Sequence, residues 1–451
     1  MQVINDKFIS VSFDIEEIKK IEGKMNQAIT CCNQRKFSQA EQLISEIIKL
    51  SPYYSEAYRL QAQIKMEHGD IESAVNCCIS ALQNNPRNKY ALLLMANLYV
   101  RKEQKNIAEA YYKRILEYYP EDSLAINNLA GLLLESKKYP EAIERFNQAL
   151  SIDDSYINTH YGLALAYYQT DNFQNAFDIS LRAVRQCKDR PENPGVRSEL
   201  IKLTMQSAIG LCNSKDLSSY YKTAKEILEN QDGFSIEFEE SENIDSIAKL
   251  ETAWIYGRKK HKVKYKPKSK FLPHLILHEL THLDLIQNAS LRGANKKVFS
   301  AEGHLKKFQD RFVSDIEKKL GKVPQNVVDQ VTRQLFGGLC SQIMNCPIDL
   351  FVEDSIYEKY TEMRPMQLLS LAEIENMNIG SIVQSEKSNH FPQKIVEVSK
   401  ILNMVTTRHF LDLYGINLLP NYPNITQQQR TLADSLYDDY KKCNANYQYG
   451  D

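Results

Sequence analysis

Lys89–Asp122 reads KYALLLMANLYVRKEQKNIAEAYYKRILEYYPED, and its length is the period of the first half of the chain. Ala28, Ala62, Ala96, Ala130 and Ala164 stand at that spacing, and so do Ala40, Ala74, Ala108, Ala142 and Ala176. A third column runs Ile47, Ala81, Ile115, Ala149 and Ala183. A fourth begins Pro52, Pro86 and Pro120, then lapses to Asp154 and Lys188. Five units result, at 21–54, 55–88, 89–122, 123–156 and 157–190. Small residues recur where two helices of one unit, and of its neighbour, must approach closely. Leu94, Tyr99, Tyr112 and Leu116 fill the remaining space. Proline ends the second helix of each early unit. One such unit cannot bury its own face, but stacked units share a continuous core.

These columns resemble the tetratricopeptide repeat (TPR) family over roughly 21–190. The resemblance implies an α-solenoid with a concave surface for a protein or peptide partner. The missing proline in units four and five departs from the pattern, just where the stacking of later helices begins. Composition adds limits. Charged residues make up 25% and hydrophobic ones 43%, as in ordinary globular proteins. A net charge of −1 gives no global attraction to nucleic acid or membrane. Nine cysteines without a CxxC pair argue against a disulfide framework and a cysteine-rich zinc site. The N-terminal stretch lacks the pattern of a secretory signal. No apolar run reaches the roughly 18 residues of a membrane span. A soluble, cytoplasmic protein is the expectation, with no membrane partner and nucleic acid disfavoured.

"RPENPG", at 190–195, reads as a break, with linking helices at about 196–213 and 216–230. Phe234, Ile236 and Phe238 then alternate with polar residues, the mark of a half-buried strand. A helix is expected over Ser246–Tyr256. The next stretch, RKKHKVKYKPKSK at 258–270, is dense in positive charge. Its lysines alternate with His261, Val263, Tyr265 and Pro267, so it reads as an edge strand with one solvated face. Contact with nucleic acid or an anionic substrate is the weaker alternative. The acidic strand at 235–239 is a candidate neighbour.

FLPHLILHELTHLDLI, at 271–286, carries His278 and His282 four positions apart, with Glu279 between. On a helix started by Pro273, the two histidines lie about 40° apart and Glu279 lies about 100° from His278. Leucine and isoleucine occupy most of the remaining arc, so the helix is a buried one. Two imidazoles one turn apart can converge on one spot about 2 Å from each ring nitrogen, a zinc bonding distance. Glu279 projects beside that spot, where a general base for a zinc-acidified water belongs. The bland reading is a pair of satisfied core histidines. LILHELTHL resembles the active helix of zincin metallopeptidases. Asp284 departs from that pattern, which has an apolar residue two places after the second histidine.

Catalytic zinc has three protein ligands and an open position. No third histidine comes after His282 in the spacing of the long zincin motif. A downstream glutamate would match the glutamate-ligand branch of the family. Glu353, in NCPIDLFVEDSIYEKY on a helix opened by Pro347, is favoured over Glu302, which has a helix-capping explanation. Asp349 and Asp354 are candidates to hold the outer nitrogen of a metal-bound histidine. His274, about 12 Å of helix rise from His282, also reads as a supporting residue. His390 is a candidate oxyanion donor, with His409, Tyr357 and Tyr414 also available.

The expected protein is mainly α. An N-terminal extension (1–20) precedes the five TPR units (21–190). Linking helices (191–231) lead to a mostly helical, zincin-like α+β domain with a small sheet (232–451). The expected activity is zinc-dependent hydrolysis of a specific protein or peptide recruited by the solenoid. The rival is a non-catalytic TPR adaptor with a structural metal or none.

Overall fold

The computed structural model describes residues 2–3, 9–10, 15–187, 194–244, 246–293 and 302–446. It divides into two compact units, Met1–Thr170 and Asp171–Asp451. The division falls inside the fifth repeat, so the second helix of that repeat belongs to the second unit.

In the first unit, strands β1 (Gln2–Val3) and β2 (Ile9–Ser10) pair antiparallel, and helices come after them in twos. They are α1 (Ile15–Asn33) and α2 (Phe37–Leu50), α3 (Ser55–Glu67) and α4 (Ile71–Asn84), and α5 (Lys89–Arg101) and α6 (Lys105–Tyr118). Then come α7 (Ser123–Glu135) and α8 (Tyr139–Ile152), and α9 (Ile157–Tyr168). Every alanine of the two main columns is fully buried, which is why nothing larger stands there. At Gly162 of α9 the constraint is tighter still. A Cβ there would lie 2.3 Å from Cζ of Phe146 on α8. Asn88 and Asp122, again one period apart, cap α5 and α7 by accepting from the backbone N–H of Ala91 and Ala125 at 3.0 and 2.8 Å. A further column is conformational. Arg35, Gly69, Glu103, Lys137 and Asp171 all have positive φ, between 56° and 79°. The first four sit in turns between successive helices of the first unit, where the chain must reverse, and Asp171 opens the second unit.

The second unit opens with α10 (Phe173–Gln186), α11 (Pro194–Ser214) and α12 (Ser218–Asp232). Most of the break at 190–195 lies outside the described residues. A three-stranded sheet comes next, formed by β3 (Ser235–Glu240), β4 (Ala248–Glu251) and β5 (Lys260–Tyr265) in the order β3-β5-β4. β3 runs parallel and β4 antiparallel to β5. Two expectations are corrected here. Ser246–Tyr256 forms β4 and a turn rather than a helix. The lysine-rich β5 is the central strand and β4 an edge. The cause is charge pairing across the sheet. Lys262 pairs with Glu239, and Lys264 reaches Glu251 at 3.1 Å and Glu239 at 3.9 Å. The lysines therefore face glutamates on both neighbours instead of guarding an edge. His261 and Val263, on the opposite face, are fully buried. The His261 Nδ1 accepts from the Ala253 N–H at 2.9 Å, and its Nε2 bonds Asp232 at 2.9 Å.

Helices α13 (Leu272–Leu291), α14 (Glu302–Leu320), α15 (Gln325–Lys359), α16 (Arg364–Ser388), α17 (Gln393–Tyr414) and α18 (Gln427–Asn446) complete the unit. Pro273 occupies the first turn of α13, as its fixed φ suits. Ile276, Leu277, Leu280 and Leu283 of α13 pack with Ile236, Val263, Val352 and Ile356 in one core. Pro347 does not open a helix; it lies inside α15. Cys346 and Leu350, before and after it in the chain, are buried among Val396, Met404 and Tyr437, while Pro347 itself is exposed. Among the described residues α15 is also the one helix long and apolar enough, by length and composition, to cross a membrane.

Candidate metal centre

α13 and α15 bring the chemistry together. The Nε2 atoms of His278 and His282 lie 3.1 Å apart. Asp349 Oδ1 lies 3.0 Å from the Nε2 of His282 and 3.5 Å from that of His278. Zinc bonds of about 2.0–2.2 Å in a tetrahedron separate ligand atoms by about 3.3–3.6 Å; the 3.5 Å separation falls in that range and the other two are slightly shorter, so a small opening of the group would admit one ion. The three side chains retain 19%, 19% and 37% of their exposure, so the group has an open side. They are the only set of three or more candidate ligands among the described residues.

Glu353 is not one of the three. One turn along α15 from Asp349, it sits behind His278, with Oε1 2.7 Å from the Nδ1 of that ring. Its Oε2 lies 3.1 Å from the Nε2 of His274. The expectation that Glu353 stands with the two histidines as the third candidate ligand is therefore corrected: Asp349 is the carboxylate placed among the ε-nitrogens. The shorter side chain stands at the mouth, and the longer one reaches behind the ring. A carboxylate on Nδ1–H fixes the tautomer that leaves Nε2 with its lone pair free for a cation. Glu353 is held in turn by Gln367 of α16, whose amide donates to its carboxylate at 2.7 Å and its backbone carbonyl at 2.8 Å. The Tyr414 hydroxyl donates to Gln367 at 2.8 Å. Gln367 and Tyr414 are both fully buried. Sequence reasoning missed this support; its one signal is a glutamine among leucines in RPMQLLSL.

The electrostatics agree with a cation site. Burial works against the charge on Glu353, but His274 and His278 outweigh it and hold the carboxyl well below its usual range. Burial likewise opposes Asp349, and bonds from His278 and His282 lower it nonetheless. Burial pulls His278 down, while Asp349 and Glu353 raise it well above an ordinary imidazole. The field that holds a proton on this ring can hold a divalent cation instead.

Glu279 points to the sheet. Its carboxylate accepts the backbone N–H of Leu250 on β4 at 2.8 Å. The Lys266 N–H donates to the Ile247 carbonyl, so odd-numbered residues of this strand face β5. Ala248 and Leu250 therefore turn their backbone groups to the free edge, and Glu279 lies at that edge.

The other candidates fall elsewhere. His274 is buried against Glu353, and its Nδ1 has no partner. Asp354 supports no ligand histidine. It bonds His409 at 2.7 Å, Asn444 at 2.7 Å and the Tyr440 hydroxyl, which commits both Asp354 and His409 to packing α17 and α18 on α15. His390 is exposed beyond the end of α16, with nearly the whole helix between it and Gln367. At about 1.5 Å of rise per residue that stretch spans roughly 34 Å. Its expected part as oxyanion donor is thereby corrected. Tyr357 stacks under Arg364, with the guanidinium 4.2 Å from the ring centroid. Glu302 begins α14, and its side chain lies outside the described residues.

Comparison with known proteins reaches the repeats. The family described as "Tetratricopeptide repeat" matches residues 65–132, and the one described as "TPR repeat" matches 132–171. A TPR repeat-containing protein of Methanocaldococcus jannaschii is 25% identical over 138 residues, covering 28% of this chain and 24% of that one. Anaphase-promoting complex subunit 3 of Schizosaccharomyces pombe is 25% identical over 121 residues, covering 27% and 18%. The chain thus spans a quarter or less of the length of these relatives. Among solved structures, YrrB, described as a TPR protein with an unusual peptide-binding site, aligns over 41% of this chain and 96% of its own. The identity is 17% and the TM-score 0.34. Pseudomonas aeruginosa pilF aligns over 44% and 93%, at 15% identity and a TM-score of 0.36. Residues 65–171 therefore carry tetratricopeptide repeats, and the histidine-bearing helix lies outside both matched stretches.

Proposed function

We propose that this chain is a TPR scaffold that binds a protein partner, and that its second unit is a zinc-dependent hydrolase acting on a peptide bond. The first part is supported by the repeats themselves, since stacked TPR helices offer an extended surface to peptides. The second part is carried by one observation: two imidazole nitrogens and a carboxylate oxygen within 3.5 Å of one another, open on one side, on a helix that also presents Glu279.

His278, His282 and Asp349 would hold the ion. Bound there, zinc would supply Lewis acidity toward a carbonyl oxygen and toward water. Glu279 would take the proton of the attacking water and pass it to the leaving amine. Its bond to Leu250 keeps the carboxylate beside the free edge of β4. An extended peptide added to that edge would run past the same carboxylate. Glu353, Gln367 and Tyr414 would fix the ring of His278, and His274 would close the back of the site.

The second reading is an adaptor without catalysis, whose metal is structural or absent. It is the better supported of the two as far as known proteins reach, because both family matches fall on the repeats. Metal content and turnover separate the readings. The hydrolase should bind one zinc per chain and cleave members of a quenched peptide library. Glu279→Gln should keep the zinc and lose at least about a hundredfold in rate. Absence of cleavage by the zinc-loaded wild type, across the library and with partner-derived peptides, would leave the adaptor reading.

A further inference from the structure

The turn between β4 and β5 breaks a general rule of soluble surfaces. Trp254, Ile255 and Tyr256 are consecutive and exposed by 40%, 67% and 46%. Three adjacent large apolar residues in water mark a contact surface. The turn is built to present them. Thr252 and Ala253 are buried at its base, and the Arg258 N–H closes it onto the Ala253 carbonyl at 2.8 Å. Gly257, with φ at +62°, makes the reversal. The Trp254 ring rests edge-on against His261 at 4.6 Å and against Phe234 at 6.0 Å. The tip is therefore held upright before anything binds it.

Cationic groups collar the tip. Arg258 lies 5.0 Å from the Tyr256 ring centroid and pairs with Glu251. Lys259 and Lys260 come directly after it, both exposed. Lys262 and Lys264, farther along β5, are matched by Glu239 and Glu251. Lys259 and Lys260 thus set positive charge with no ion-pair partner among the described residues directly beside the apolar tip, as Lys266 and Lys268 do at the other end of β5.

We propose that Trp254–Lys260 docks the protein on an anionic lipid surface. Ile255 would enter the acyl boundary, with the Trp254 and Tyr256 rings at headgroup depth and Lys259 and Lys260 over lipid phosphates. Tryptophan and tyrosine favour that interface, and neither an apolar tip nor a basic patch suffices alone. A small-molecule subsite fits less well, because such sites are concave and these side chains stand out from the surface.

The sequence contains a single tryptophan, so Trp254 reports on its own environment. The full-length protein would be mixed with phosphatidylcholine vesicles, with or without about 30% phosphatidylserine. The expected result is co-sedimentation and a blue-shifted Trp254 emission with the anionic vesicles only, reversed by high salt. Ile255→Ser, and separately Lys259→Glu with Lys260→Glu, should each weaken vesicle binding about tenfold or more with unchanged far-ultraviolet circular dichroism. No shift with anionic vesicles overturns the proposal, as does equal binding to neutral ones. An emission shift with acidic peptides but not with vesicles also overturns it, and assigns the tip to a protein partner.

Discussion

Asp349 and Glu353 are one helical turn apart, and either could reach α13. Acidic groups buried on an apolar helix need a cationic partner, and His278 and His282 are those partners. Which carboxylate takes the ε-nitrogens and which the δ-nitrogen depends on how α15 crosses α13. Helical spacing carries no information about that. The two roles make different predictions. Asp349→Ala should lower zinc affinity severely, because it removes a ligand atom. Glu353→Gln keeps a group beside Nδ1 and should cost about 10- to 100-fold. Zinc titration against a competing chelator measures both. Equal losses, or a larger loss at Glu353, would return Glu353 to the ligand position. The convergence of His278 and His282 is legible in the sequence because their spacing is itself the geometry. Gln367 and the Leu250 N–H are not, because their parts depend on contacts between distant segments and on a strand whose pattern reads as a helix.

The repeats are legible at the level of elements because burial imposes residue type: only alanine fits where helices touch. The positive-φ column is not, because a turn imposes backbone shape and tolerates Arg35, Glu103, Lys137 and Asp171 at a cost. Glycine stands at only one of its five positions, Gly69. A non-glycine residue in the left-handed region costs about 1 kcal/mol. Lys137→Gly should therefore stabilise the first unit slightly, by up to about 0.6 kcal/mol after the greater entropy of glycine in the unfolded chain is subtracted. Urea unfolding would show a raised midpoint at unchanged slope; a lowered midpoint would mean that the Lys137 side chain contributes more than its backbone costs. At β5 the alternation predicts the strand but misplaces it in the sheet. A lysine face looks the same whether water or glutamate lies opposite, and only the neighbouring strands distinguish the cases.

For the molecule as a whole, the centre ties stability to pH and metal. Glu353 and Asp349 have depressed pKa values in the fold, so their contribution is present above their unfolded values of about 4 and is lost as acid protonates them. His278 has a raised value, so its contribution is full below about 6.5 and is lost as pH rises through the folded value. The metal-free protein should therefore gain most from this site between about pH 4.5 and 6.5. Zinc, which takes the place of the proton, should add progressively more as pH rises from about 6 to 8. Melting curves with zinc and with chelator would show that widening gap. A gain independent of pH would mean that zinc does not displace the imidazole proton.

Asp354, next to Glu353 in the chain, grips Tyr440 and Asn444 of the last helix. The backbone that aims the site is thus anchored to a segment far downstream. Mechanical load on α18, from a bound neighbour or a fused domain, would be transmitted along one rigid helix to the carboxylates that grip the imidazoles. The final helix is in that sense a lever, and pulling it away should loosen the cage without touching any residue inside.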